Sequence, residues 1–417
     1  MSEKFPGGFI IKTPTAPTGS AATGIWTLDQ VTQYKQAGQW PSPPIAAGQL
    51  WGWGSHSYGT LGNASGNRYS DTNSPILVST ATNWIVQNGV VGYCVGVRSD
   101  NTMTGWGNGS YGQAGNGYYN NNNYNPNVQV SGGAVWATAS RVQKSAAAVR
   151  TNGTLWTWGR NNKGQGGRGS TGGNTGNTPQ QVGALTNWST SANKIVMGCY
   201  NVAAIKTDGT LWTWGFNIAG SLGNNSTSDT NSPAQVGALT NWAQVSMSNQ
   251  TLAVKTDGTL WAWGVNNNGQ LAQNNTIYRS SPVQVGNDTN WAFAACSLFG
   301  VTLSSSAVNS AMFGIRTDGT LWSWGGNNYS SGGTARARAS SPIQVGLLTN
   351  WSKIVTSAYT TIALKADGTI WAWGLNNFGQ CGIGNNSNVT SPTQIGALTG
   401  WGAVGLGKGA GTGFGIR

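Results

Sequence analysis

Side chains able to act as acid, base or nucleophile are few in this chain of 417 residues: one histidine, His56, one glutamate, Glu3, and nine aspartates. Catalysis by proton transfer needs such groups brought within hydrogen-bond reach of one another. His56 follows Leu50-Trp51-Gly52-Trp53-Gly54 with no serine–aspartate partnership evident around it. Asp100, Asp208, Asp257, Asp318 and Asp367 occupy one recurring hairpin turn, and Asp71 and Asp229 each precede Thr-Asn-Ser-Pro. Aspartate favours turns because its carboxylate bonds the backbone two residues on, so turn formation accounts for all seven. Asp29 and Asp288 are isolated, which leaves no carboxylate pair of the kind glycoside hydrolysis uses. Cys94, Cys199, Cys296 and Cys381 are far apart and form no Cys-x-x-Cys, so neither zinc nor redox chemistry is indicated and buried free thiols are expected. Gly107-Asn108-Gly109-Ser110-Tyr111-Gly112 has dinucleotide-loop spacing but no helix pattern or acidic residue after it. The expectation is a protein that is not an enzyme, with no catalytic residue, cofactor or metal.

The elements around these residues come from a repeat. A basic residue, a turn and Leu-Trp-x-Trp-Gly recur at Arg150 to Gly159, Lys206 to Gly215, Lys255 to Gly264, Arg316 to Gly325 and Lys365 to Gly374, with weaker copies at Arg98 to Gly107 and Leu50 to Gly54. A second pattern, Ser-Pro-x-Gln-Val-Gly then Thr-Asn-Trp, trails each and ends at Trp84, Trp136, Trp188, Trp242, Trp291, Trp351 and Trp401. Of 22 tryptophans only Trp26 and Trp40 fall outside the two patterns. Glycine at 64 residues, with 8% charged positions, excludes helical solenoids and coiled coils, and 22 Trp with 12 Tyr and 8 Phe excludes disorder.

Each unit is long enough for four strands: an inner strand, a second strand (Val202 to Lys206), a third strand (Thr210 to Trp214) and an outer Ser-Pro-x-Gln-Val strand. Asp-Gly between apolar runs predicts a type I′ hairpin. Trp-x-Trp puts both rings on one face of its strand, where they would pack between neighbouring sheets. The chain stops after Gly413-Phe414-Gly415-Ile416-Arg417, a second strand, and the first repeat begins at a third strand. Joined, they make one sheet and leave no edge at the seam. The reading is a seven-bladed all-β propeller over residues 45–417.

The third strand runs into Asn266-Asn267-Asn268-Gly269-Gln270-Leu271, with matching runs at Asn161 to Gln165 and Asn376 to Gln380. With Asp-Gly-Thr-Leu-Trp-x-Trp-Gly before it, this resembles the regulator of chromosome condensation family, over about nine-tenths of the chain. The resemblance implies a seven-bladed propeller. The family's Gly-x-x-His-Ser pattern is replaced here by Gly198-Cys199-Tyr200-Asn201-Val202 and Ser246-Met247-Ser248-Asn249-Gln250, a departure that counts against its nucleotide-exchange activity.

The variable residues lie in loops between third and outer strands: Arg68, Tyr69, Tyr118, Tyr119, Tyr124, Arg168, Tyr278, Arg279, Arg336 and Arg338. These should rim one face of the disk, with an insertion near Ser297 to Ser310 opening on the same face. Tyr, Arg and Asn make adaptable contacts. The net charge of +12 is weak over this length; it serves solubility, and nucleic acid is not the expected partner. No run of 18 apolar residues predicts a membrane span, and no signal-peptide pattern opens the chain.

Residues 1–44 read as an arm. Phe9-Ile10-Ile11 is an extended apolar segment, Trp26-Thr27-Leu28-Asp29-Gln30 a short capped helix, and Trp40-Pro41 begins a stiff link. Its layout resembles the N-terminal segment of virion structural proteins of marine and cyanobacterial tailed phages. That resemblance implies a non-enzymatic virion protein made in the host cytoplasm. Phe9, Ile10, Ile11, Trp26, Leu28 and Trp40 would anchor it to other virion proteins of capsid or tail, the particle would set its oligomeric state, and the propeller would be displayed as a decoration or touch a host-surface glycan. The alternative is an intracellular scaffold of the chromosome-condensation type that binds proteins or chromatin.

Overall fold

The structure is a computed structural model that describes residues 48–56, 59–62, 71–90, 93–119, 129–131, 133, 135–142, 144–198, 200–297, 310–327, 333, 338–407 and 411–417. The arm residues Phe9, Ile10, Ile11, Trp26, Leu28 and Trp40 lie outside these, as do Arg68, Tyr69, Tyr124, Arg336, Cys199 and residues 298–309.

The hairpins between second and third strands share a three-residue turn, Thr-Asp-Gly at residues 207–209, 256–258 and 317–319 and a close variant at 99–101, 151–153 and 366–368. Around Thr207-Asp208-Gly209, Gly209 N–H donates to the Lys206 carbonyl at 3.0 Å and Lys206 N–H to the Thr210 carbonyl at 3.0 Å. Only Gly209 has positive φ, at 78°. This is a type I turn followed by a left-handed residue, not the type I′ turn expected, because three residues rather than two separate the paired ends. Glycine is required on a second ground: a Cβ there would lie 2.0 Å from the Thr240 carbonyl oxygen. The Asp208 carboxylate accepts from the Thr210 amide at 2.9 Å and hydroxyl at 2.6 Å, and Trp212 donates its indole N–H to that hydroxyl at 2.9 Å. The same aspartate–threonine pair recurs at Asp100, Asp257, Asp318 and Asp367, which confirms these carboxylates as turn formers.

The strands assemble into an all-β propeller of antiparallel four-stranded sheets. In a representative one, Trp242–Met247, Gln250–Lys255, Leu260–Gly264 and Arg279–Gln284 pair in chain order. Ring closure follows the expected route: Thr412–Ile416 pairs with Gly48–Gly54, from Leu50 opposite Ile416 to Gly54 opposite Thr412. The sheet count differs from the seven expected. Among the described residues there are six sheets, five of four strands and one of six. Thr72–Val90 is one strand of 19 residues. Its first half pairs with Gly48–Gly54 as an outer strand and its second half with Tyr93–Arg98 as an inner strand. The first two repeats therefore share a sheet, and Ser79 stands there where Gly183, Gly237, Gly286, Gly346 and Gly396 turn the backbone with positive φ in other repeats.

The core lies between sheets. The second indole of each Trp-x-Trp is fully buried and donates to a main-chain carbonyl of the preceding repeat: Trp158 to Gln113 at 2.8 Å, Trp263 to Ser221 at 2.9 Å and Trp324 to Gln270 at 2.8 Å. Both indoles meet the tryptophan that opens the inner strand; Trp242 sits edge-on at 6.2 Å from Trp261 and 6.0 Å from Trp263. The basic residue before each turn caps the stack. Lys255 Nζ lies 3.8 Å from the Trp261 ring centre and 5.2 Å from that of Trp242, and Lys206, Arg150, Arg316 and Lys365 repeat the arrangement. Five of the 22 lysines and arginines thus lie against indole faces.

Candidate interaction surface

The loops leaving the third strands are held rigid by one side chain each. Asn217 Oδ1 accepts from Leu222 N–H at 2.9 Å, and its amide reaches the carbonyls of Ser226 and Ser228. Asn161, Asn266 and Asn376 do the same at their own loops. His56 fills this position in the first repeat, where Nδ1 accepts from Leu61 N–H at 3.3 Å and its backbone N–H donates to Asp71 at 3.0 Å. Asp229 holds Asn217 in the same way. The only histidine is therefore a loop clamp, and burial depresses its pKa more than Asp71 raises it.

At the end of the ring where these loops emerge, three neighbouring repeats bring cations and aromatic rings together. Lys144 donates to the Tyr111 hydroxyl at 3.3 Å and lies 4.5 Å from its ring centre, which holds that phenol below its usual pKa. Arg160 stands 5.4 Å from the Tyr111 ring and 5.9 Å from Tyr200. Tyr200 meets Phe216 edge-on at 6.5 Å, and Lys163 lies 4.7 Å over Phe216 and 3.8 Å from the Asp229 carboxylate. Strand register puts all of these at one end, since Ser145 pairs with Gly159 and Asn201 with Gly215.

The described loop residues singled out from sequence differ in their exposure. Tyr118 and Tyr119 are 67% and 54% exposed, and Tyr278 is also exposed. Arg338 is exposed at the start of its strand and Arg279 is half-buried opposite Gly264. Arg168 turns back onto its own sheet and donates to the Thr157 hydroxyl at 2.8 Å. The two ends of the insertion meet, Ser297 N–H donating to the Ala311 carbonyl at 3.1 Å. Sequence reasoning passed over Tyr111, Lys144, Arg160 and Lys163, although basic residues alternating with Tyr200 and Phe216 at the strand ends were a readable signal. It also passed over the opposite face, where Leu185, Leu239, Leu348 and Leu398 are exposed at one repeated position before Thr-Asn-Trp or Thr-Gly-Trp. Asp288 takes that position in a fifth repeat and pairs with Arg316.

The axis of the ring is a channel of ≈ 160 Å³ lined by inner strands from all seven sequence repeats, among them Ile85, Ser140, Val196, Ser246, Ala295, Val355 and Gly405. Among the described residues no group of histidine, cysteine or acidic side chains could hold a metal. Cys94, Cys296 and Cys381 are buried, and burial pushes the Cys94 and Cys381 thiols up to about 12. No helix among the described residues is long and apolar enough to cross a membrane.

The chain carries regulator of chromosome condensation (RCC1) repeats, matched at residues 152–205, 208–254, 257–298, 351–380 and 367–408. It is 28% identical over 198 residues to the E3 ubiquitin-protein ligase HERC2 of Homo sapiens, and equally to that of Mus musculus; the match takes in 46% of this chain but 4% of either ligase. Among solved structures, human WBSCR16 superposes with a TM-score of 0.73 at 18% identity, over 89% of this chain and 99% of that one. Prp20p from Saccharomyces cerevisiae, whose structure is described together with its binding to Gsp1p and histones, gives 0.73 and 18%, over 89% and 92%. At that identity the likeness is one of fold. These similarities favour the chromosome-condensation-type alternative over the virion reading, for which they offer no support.

Proposed function

We propose that the protein is a non-enzymatic, intracellular propeller scaffold that binds protein partners through its loop face. The observation that carries the reading is the ladder of Tyr111, Lys144, Arg160, Tyr200, Lys163 and Phe216, with Tyr118 and Tyr119 exposed later in the loop that holds Tyr111. Tyrosine and arginine are enriched where proteins meet, because they bring large contact area with few rotatable bonds or a planar set of donors. The Lys163–Asp229 pair is an internal instance of the carboxylate contact a partner would make. Prp20p, of similar fold, binds Gsp1p and histones, so both belong in the first test.

We also read the ring as seven blades, two of which share the strand Thr72–Val90; the support is the seven inner-strand segments around the channel. The role is tested by measuring binding of the purified full chain to Gsp1p and to histones by biolayer interferometry. The variant K144Q/R160Q/K163Q is expected to weaken whichever complex forms by about tenfold, or roughly 1.4 kcal/mol. Absence of binding to both, or a variant that binds as the parent does, would remove the loop face from the function.

A further inference from the structure

The axial channel is lined by charge of one sign. The charged residues that line it are Arg141 and Lys353, and no carboxylate lines it among the described residues. Lys353 belongs to no ion pair among those residues. Arg141 is nine-tenths buried and stands 5.1 Å from the Tyr93 ring. Lys353 sits in the inner strand Trp351–Thr356 and is held below its usual pKa by desolvation alone.

The uncharged groups add donors. Ser140 Oγ accepts from Met197 N–H at 3.0 Å and Ser246 Oγ from Cys296 N–H at 2.9 Å. A hydroxyl that accepts one such bond still has its own proton to give. Gln244, by contrast, is consumed by the Ala294 backbone, accepting its N–H at 3.1 Å and donating to its carbonyl at 2.9 Å. An ammonium half-buried in a channel whose described lining holds no carboxylate is unfavourable; a bound anion reverses the sign of that balance.

We propose that the axial channel is an oxyanion-binding site, occupied by a small molecule bearing a phosphate or carboxylate group, with Lys353 as its principal charge and the Ser140 and Ser246 hydroxyls as donors. The volume of ≈ 160 Å³ limits the occupant to a small molecule and excludes a folded partner. This site goes beyond the loop-face reading and does not depend on it.

The test is calorimetric titration of the full chain at constant ionic strength, in one arm with orthophosphate and in the other with succinate. One anion at least should bind saturably with a single site, and the arm that responds identifies the headgroup. K353M should weaken binding by about tenfold and K353R should keep it, as expected of a charge-assisted contact. S140A, a smaller change, should weaken it less, with some loss of melting temperature because Met197 N–H loses its acceptor, and K144Q/R160Q/K163Q on the loop face should leave it unchanged. Lack of saturable binding in both arms, or binding to folded K353M as tight as to the parent, would overturn the proposal.

Discussion

Trp53 donates its indole N–H to the main-chain carbonyl of Gln380, 2.9 Å away in space and 327 residues later in the chain. This is the seam's version of a bond that elsewhere joins adjacent repeats, such as Trp263 to Ser221 or Trp214 to Gln165. It works beside the strand pairing of Gly48–Gly54 with Thr412–Ile416, so the ring is closed by backbone and by side chain together.

W53A should therefore destabilise the protein by about 3–5 kcal/mol, the usual loss for truncating a buried tryptophan. Denaturant unfolding followed by tryptophan fluorescence measures it. A loss under about 1 kcal/mol would mean that strand pairing alone closes the ring.

The lysines stacked on indoles should behave as part of the core. Burial lowers the Lys255 pKa, and the two ring faces at 3.8 and 5.2 Å offset that dehydration. K255M is expected to lose about 1 kcal/mol and K255R to stay close to the parent, since guanidinium also stacks on indole. Equal melting temperatures for all three proteins would show that the charge contributes nothing over its methylene stem.

His56 introduces a pH dependence. Its folded-state pKa lies below 6.5, so the unfolded chain binds the proton more readily. Its contribution to stability is complete above pH 6.5 and is lost as pH falls through the lowered folded value. Protonation of Nδ1 also removes the acceptor for Leu61 N–H. H56N restores the side chain that Asn217 and Asn266 supply in other repeats, and should flatten stability between pH 5 and 7 while leaving it unchanged near pH 8. A parent and variant with parallel pH profiles would contradict this.

Gly314 lies in a strand under Trp291, and a Cβ there would sit 2.3 Å from the indole Cζ3. G314A should lose about 1–3 kcal/mol through overpacking, whereas Y118S and Y119S, on exposed loop residues, should change stability by less than about 0.5 kcal/mol. Thermal melts of the three variants separate the two classes.

The strand arrangement was legible because each repeat solves the same local problem with the same residues. Asp-Gly-Thr marks a turn, Trp-x-Trp marks a strand with both rings on one face, and the seven copies predict one another's register. Boundaries within a repeat came within a residue or two: the second strand expected at Val202 to Lys206 is Asn201–Ile205. What escaped was the joining of two repeats through Thr72–Val90, although Ser79 replaces there the turn glycine that Gly183, Gly237, Gly286, Gly346 and Gly396 supply elsewhere.

The candidate surface was legible only in part. Tyr118, Tyr119 and Tyr278 are exposed as loop polarity suggests, but Arg168 folds back on Thr157. An arginine's reach is set by which acceptor lies nearest in space, and sequence spacing does not contain that distance. The same holds for Lys144 and Tyr111, 33 residues apart and joined at 3.3 Å.

By itself the sequence determined the all-β repeat, its closure through the two terminal strands, and the turn-forming role of the aspartates, because each follows from local hydrogen bonding and from period-two alternation repeated along the chain. Only the tertiary structure decided that positive charges would be absorbed on indole faces, that His56 would stand in for an asparagine, and that Lys353 and Arg141 would line a channel with no carboxylate among the described residues. Those outcomes are distances between side chains from different repeats, and they exist only once the sheets have closed around a common axis.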